Sequence, residues 1–477
     1  MKIIITSQTI LVWLLFMALI QISTAQNFIE SPQTQPFTGT IYSSTAFADV
    51  DGDNDQDVLI TGRTSSHNRI AVLYTNDGSG NFTELSGTPF DGVQDSSIAF
   101  ADVDDDNDQD VLITGLSDSG FIAKLYTNDG SGNFSEVSGT PFDGVEQSSI
   151  AFADVDGDKD PDVLITGMNT AFVQIAKLYL NDGSGNYTEE TGTPFEGVDE
   201  SAIAFADIDG DSDLDVLITG FNFNGVNTKL YTNDGSGQFT EMMNTPFYGV
   251  GASSVAFADI DGDNDQDVVI SGATNTDRIT TLYTNDGTGI FSEVLGTPFE
   301  GVAFSSLAFS DVDGDNDQDM LLSGSSADAL YTVLYTNDGT GNFTEYANTP
   351  FEDINNGAIN FVDVDGDNDE DVLITGQNNS FVNHISTLYL NQLNTLSTQS
   401  IDINDNLSVY PNPVRDVLNI KTNYNLEHIE VFNMNGQLVW SQPQDSSSLS
   451  IENLNAGMYL LRIKTDVGFT TKKIVKQ

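Results

Sequence analysis

The sequence contains no cysteine, three histidines and only 15 basic residues among 477. Without cysteine there can be no disulfides, no zinc–thiolate site and no cysteine nucleophile. Basic residues are outnumbered by 72 acids, a formal charge of −57. Most of the imbalance lies in residues 26–400, with 7 Lys and Arg against 64 Asp and Glu, while residues 401–477 hold 7 against 8. A surface this negative repels phosphate backbones, which argues against nucleic acid as a partner. Long apolar runs are missing as well, except for Ile10 to Ile20. With Lys2 before it and Ser23-Thr24-Ala25 after it, that run reads as a secretory signal peptide over residues 1–25, cleaved after Ala25. No cysteine follows to carry a lipid, and no later run approaches the roughly 18 apolar residues of a membrane span. No transmembrane segment is therefore expected in the mature chain. An exported protein without disulfides needs another kind of staple.

What is abundant supplies one. Asp49-Val50-Asp51-Gly52-Asp53-Asn54-Asp55-Gln56-Asp57 places an acid at every second position, and the pattern returns six times at offsets of 52 or 53 residues. The candidate metal ligands are Asp49, Asp51, Asp53, Asp55 and Asp57, then Asp102, Asp104, Asp106, Asp108 and Asp110. Asp154, Asp156, Asp158, Asp160 and Asp162 follow, then Asp207, Asp209, Asp211, Asp213 and Asp215. The last three copies are Asp259, Asp261, Asp263, Asp265 and Asp267; Asp311, Asp313, Asp315, Asp317 and Asp319; and Asp363, Asp365, Asp367, Asp369 and Asp371. Two carboxylates about 5 Å apart repel by roughly 1 to 3 kcal/mol at intermediate dielectric, so such a loop closes around a cation. Calcium fits, taking six to eight hard oxygen ligands in a flexible shell. An EF-hand requires Gly at position 6 and Glu at position 12, whereas these are Asn54 and Ile60. The loop is therefore expected to be a β-hairpin site, up to seven of them, all structural. Positions 1, 3, 5 and 9 should give side-chain oxygens and position 7 its carbonyl.

A fixed period near 52 marks a repeat array. Each copy reads as four short strands, in the second copy Ser97–Asp102, Val111–Gly115, Ile122–Asn128 and Asn133–Val137. Asn128-Asp129-Gly130 is a hairpin signal between the last two. Seven four-stranded units predict an all-β fold, a seven-bladed β-propeller over residues 26–391. The last copy stops at Leu388-Tyr389-Leu390-Asn391, and Asn27–Glu30 through Pro36-Phe37 matches the strand it lacks. The N-terminal segment is thus expected to complete the seventh blade and latch the ring. Residues 392–406 read as a polar linker. Strand-like runs at Asn419–Thr422, His428–Asn433, Gln437–Ser441, Leu449–Ile451 and Met458–Lys464, with turns at 434–436 and 455–457, predict a small Ig-like β-sandwich over residues 407–477.

The array resembles the FG-GAP/VCBS repeats of integrin α-chain propellers and bacterial exported proteins, in which calcium braces the hairpins and does no chemistry. Residues 407–477 resemble the type IX secretion sorting domain, type A. The marks are Val409-Tyr410-Pro411-Asn412-Pro413, Val431-Phe432-Asn433-Met434-Asn435-Gly436, Leu454-Asn455-Ala456-Gly457-Met458-Tyr459 and the basic Lys472-Lys473. That resemblance implies the type IX machinery as a partner. It places the protein in the medium or on the outer surface of a Gram-negative bacterium.

The copies differ mostly between their second and third strands, at Arg63–Asn68, Leu116–Phe121, Met168–Gln174, Phe221–Val226, Ala273–Arg278, Ser325–Leu330 and Gln377–His384. Acidic loops and Asn-Asp-Gly turns should share one rim, with these variable loops and the Thr-Pro-Phe links on the other. Function usually sits on loops carried by a rigid scaffold. An unknown glycan or protein ligand is therefore expected on the variable rim, against Phe121, Phe172, Phe221, Phe223 and Phe381. His67 and His384 fall in corresponding loops of the first and last copies and either share a site or are solvated. His428 lies apart from them. The reading is a secreted or surface-attached binding or adhesion module. An extracellular polysaccharide lyase or hydrolase, or a passive surface-structural protein, are the alternatives.

Overall fold

The computed structural model describes residues 28–32, 37–379, 384–393, 407–422, 426–433, 437–443, 448–465 and 468–477. The expected signal peptide, most of the expected linker, Phe381 and the expected turn at 434–436 lie outside the described residues. Every regular element among the described residues is a strand, and no sheet there closes on itself. Among the described residues no helix is long and apolar enough to cross a membrane. The chain divides into two compact units, Met1–Leu393 and Asn394–Gln477.

The larger unit repeats one antiparallel motif, clearest in its second copy. Val93–Ala101 pairs with Asp110–Ser117, which pairs with Gly120–Thr127, which pairs with the short Ser135–Glu136. The second strand of every copy is buried on both faces, Asp110 to Gly115 being without exception inaccessible. This explains why Val-Leu-Ile is a continuous apolar run and not an alternating one: neighbouring copies cover it from both sides. Six hydrophobic clusters join successive copies, Ala48, Leu59 and Leu73 meeting Val93, Ile113 and Tyr126 in one of them. The cluster of Phe37, Val58 and Tyr74 with Val364, Leu373 and Leu388 joins the first copy to the last.

Polar ties follow the same circle. The buried Asn128 donates its side-chain amide to the Val50 carbonyl of the preceding copy at 2.8 Å, and its main-chain N–H to its own Asp110 Oδ1. Asn233 does the same to Val155 and Asp215. Asn76 of the first copy reaches Val364 of the last. In the Asn-Asp-Gly turn it is Gly130 and Gly132 that take positive φ, so the asparagine is a cross-copy tie and the loop runs over 128–134 rather than forming a two-residue hairpin. Asn233→Ala would remove one of the two donors to the Val155 carbonyl, the Gly237 N–H remaining at 2.9 Å. Urea melts should show a loss of about 0.5–1.5 kcal/mol; an unchanged midpoint would mean the tie is idle.

The N-terminal segment supplies the strand that the last copy lacks. Ile29 and Glu30 pair antiparallel with Leu390 and Tyr389. Each copy also holds three packed rings, such as Phe90 against Tyr126 and Phe134 at 5.0 Å. In the last copy the third ring is Phe28, 5.0 Å from Phe351, which in turn meets Tyr389. Phe37 begins the equivalent set of the first copy with Tyr74 and Phe82.

The first strand of the copies carries a bulge, seen as a register shift between Gln94 and Ser97 and at the same place in later copies. The bulged residue has positive φ in all seven: Tyr42, Asp95, Gln147, Glu200, Ala252, Phe304 and Asn356. Each stands seven residues before the first Asp of its acidic loop. The neighbouring Ser96, Ser148, Ser201 and Ser253 bond Thr61, Thr114, Thr166 and Thr219 of the preceding copy at 2.7–2.8 Å. Gly115 admits this close approach, since a Cβ there would stand 2.8 Å from the Ser96 Cβ.

The smaller unit sets a three-stranded sheet (Leu407–Tyr410, Val417–Thr422, Ser448–Ser450) against a four-stranded one (Leu426–Asn433, Leu438–Pro443, Gly457–Thr465, Gly468–Lys476). Leu407, Leu418 and Leu449 from one meet Val431, Leu461 and Ile474 from the other in a single core.

Candidate functional site

Each acidic loop is folded by its own carboxylates. Asp49 accepts the Gly52 N–H at 2.8 Å on one oxygen and the Asn54 N–H at 2.9 Å on the other. Gly52 and Asn54 both have positive φ, the reason glycine and asparagine recur at these positions. Lys159 and Asp105 hold the same conformation in their copies. The ninth residue anchors the loop, Asp57 accepting Val50 N–H at 3.0 Å and Asn76 N–H at 2.8 Å while fully buried.

These bonds leave several carboxylates converging. Oxygens of Asp49, Asp51 and Asp53 lie within 4.8 Å of one another, as do those of Asp102, Asp104 and Asp110, of Asp154, Asp156 and Asp162, and of Asp207, Asp209 and Asp215. The Oδ1 atoms of Asp51, Asp104, Asp209, Asp261, Asp313 and Asp365 are buried and have no hydrogen-bond donor. An ionised oxygen held this way is costly unless a cation meets it. Position 7 turns aside: a Cβ on Gly78 would stand 2.4 Å from Asp55 Oδ2, so that carboxylate lies over the Asp-Gly turn.

The electrostatics agree. Burial, opposed by the two main-chain donors, pushes Asp57, Asp110, Asp215 and Asp267 up to about 6. Asp162 and Asp319 rise to about 7 and Asp371 to about 8 for the same reason. Asp51, Asp104 and Asp261 are raised by burial and then by the neighbouring carboxylates. A hard-oxygen cage that holds its ligands against their own charge can bind a divalent cation such as Ca²⁺.

The opposite ends of the strands carry the variable loops. Phe223 is 80% exposed and Phe172 68%, while Phe121 packs edge-on to Phe172 at 6.1 Å. Phe221 differs from the expectation: it is half-buried, its ring filling the space over Gly251. His384 Nδ1 lies 3.0 Å from the Arg63 carbonyl and is pushed down by burial, with the exposed His67 close enough to contribute. The sequence reading missed the bulged column. Its signal was available, seven different residue types at one offset in otherwise matching copies.

Residues 49–113, 102–165, 221–270 and 311–374 match the FG-GAP-like repeat family, and residues 408–477 match the secretion system C-terminal sorting domain. An ulvan lyase of Nonlabens ulvanivorans is 30% identical over 156 residues, 31% of this chain and 26% of the relative. The chain therefore spans about a quarter of that protein. Among solved structures, PorZ, a surface component of the type IX secretion system of Porphyromonas gingivalis, is 12% identical with a TM-score of 0.43, covering 94% of this chain and 61% of its own. A lectin of Burkholderia pseudomallei is 10% identical with a TM-score of 0.46, covering 72% and 94%. The chain thus carries FG-GAP-like repeats in its larger unit and, at 408–477, the sorting domain of a type IX secreted or cell-surface protein.

Proposed function

We propose that the larger unit is a seven-bladed propeller braced by structural calcium and acting as a binding or adhesion module at the cell exterior. The smaller unit, an Ig-like sandwich on this reading, is its export signal, read by the type IX machinery. The observation that carries the proposal is the division of labour between the two ends of the strands. One end repeats the same converging carboxylates copy after copy, six of the seven sets with a donorless buried oxygen. The other end presents seven unlike loops with exposed rings such as Phe172 and Phe223. In each loop the residues at positions 1, 3, 5 and 9 hold the ion and position 7 adds its carbonyl; bound calcium supplies rigidity. The variable end is then free to recognise a partner, since fixed scaffolds display function on loops.

The local similarity to an ulvan lyase supports a second reading, an enzyme acting on an extracellular polysaccharide. One experiment separates the two. The full chain is applied to an array of glycans and matrix proteins with and without calcium, and bound polysaccharides are assayed for new reducing ends. The module reading expects calcium-dependent capture without cleavage, weakened by at least about 1 kcal/mol in Phe172→Ala/Phe223→Ala at unchanged melting temperature. Release of new ends would establish the enzyme, and no capture at all would refute the module.

A further inference from the structure

The bulged column raises a question that folding does not answer. Positive φ is strained for any side chain but glycine's, and this chain uses glycine freely elsewhere, at Gly52, Gly78 and Gly80 of the first copy alone. Yet none of the seven bulges is a glycine; tyrosine, glutamate and phenylalanine occupy them instead. The adjoining serine–threonine bonds already fix the local backbone, so the bulged side chains are spare. All seven line one cavity of about 470 Å³, within the 300–1,000 Å³ of ligand pockets. It lies at the variable end of the strands, because Gln94 pairs with Leu116 beside the variable loop while Ala101 pairs with Asp110 at the acidic loop.

Its chemistry is mixed around the wall. Asp95 accepts Gln94 Nε2 at 2.8 Å and Glu200 accepts Gln147 Nε2 at 3.0 Å, which leaves the other oxygen of each carboxylate to a ligand. Phe304 lines the same cavity and is 42% exposed. Arg63 lines the same cavity, its guanidinium 5.1 Å from the Tyr42 ring centroid and its buried Nε without a partner. Anions are repelled by the two carboxylates and the field of the domain, and a cation would meet Arg63. A ligand with hydroxyls for the carboxylates and amides and a C–H face for Phe304 satisfies every wall.

We propose that this cavity is a binding site for a neutral sugar, a single pyranose-sized ring or the exposed end of a neutral glycan. The proposal rests on the binding-module reading and gives it a site distinct from the exposed loop rings.

The test is saturation-transfer NMR on the full chain in calcium, with glucose, galactose, mannose, xylose and cellobiose as probes and lysine as the cationic control. At least one sugar should bind, with an affinity insensitive to salt because no charge pair is made. Phe304→Ala and Gln147→Ala should each weaken it about tenfold, while Phe223→Ala leaves it unchanged. Calcium-dependent melting of each variant shows that it has folded. Asn356→Ala provides a third cavity variant should either of the others not fold. Sugar binding that survives all the cavity changes overturns the site, as does binding of lysine alone. If no neutral sugar binds while the array still captures a protein or a charged glycan, the cavity proposal falls and the module stands. If neither experiment detects a ligand, both fall.

Discussion

Removing divalent cations with EDTA is expected to lower the melting transition of the larger unit by on the order of 10–20 °C. With a Kd near 0.1 mM, typical of the tighter extracellular modules, millimolar calcium adds roughly 1.4 kcal/mol per site and on the order of 10 kcal/mol over seven. One kcal/mol moves the midpoint of a domain this large by roughly 1–2 °C. The pH dependence should change with the ion. In the metal-free fold the ninth-position carboxyls sit at about 6 to 8 because they are buried, above their unfolded value near 4. The folded state then holds more protons than the unfolded one, so metal-free stability falls as pH rises from about 4 to about 8. Calcium neutralises the same groups, and the gap between the two melting curves should widen with pH. Calorimetry with and without EDTA at several pH values checks both statements. A midpoint indifferent to EDTA would exclude calcium as the brace, and a gap that narrows as pH rises would contradict the burial argument.

The second large effect concerns the N-terminal segment. Phe28 and Phe37 are both buried and belong to the clusters that flank the last copy on its two sides. Truncating a buried phenylalanine costs about 3–5 kcal/mol. Phe28→Ala and Phe37→Ala should each destabilise by that amount, and the pair, in different clusters, should be close to additive. Starting the mature chain at residue 38 should cost more than either, because the edge of Leu390 and Tyr389 is left unpaired. Denaturant melts of the four variants decide the matter. Midpoints equal to the parent's would mean that the array is held together without this segment.

How much of this could be read in advance follows from what each residue type signals. The acidic loops were legible because alternating carboxylates have few other uses, and the strands because Val-Leu-Ile between polar turns is a strong pattern. The place of the N-terminal strand was legible from the copy that lacked one. Asn128 was read as a turn former, since Asn before Asp-Gly is a hairpin signal; its reach to Val50 of another copy depends on packing that no local pattern reports. The bulges were missed for a related reason. Glycine or asparagine would have announced positive φ, but Tyr42, Glu200 and Phe304 announce nothing. Phe221 reads as a displayed ring because its loop varies, whereas Gly251 makes room for it.

The pairing of Ile29 with Leu390 also bears on how a finished molecule differs from an unfinished one. The first and last strands of the array meet only when everything between them has been synthesised, so a prematurely terminated chain lacks its closing partner. It lacks the sorting domain at 408–477 as well. Loss of the strand that Ile29 pairs with and loss of the sorting domain therefore go together in any chain broken off before Leu390.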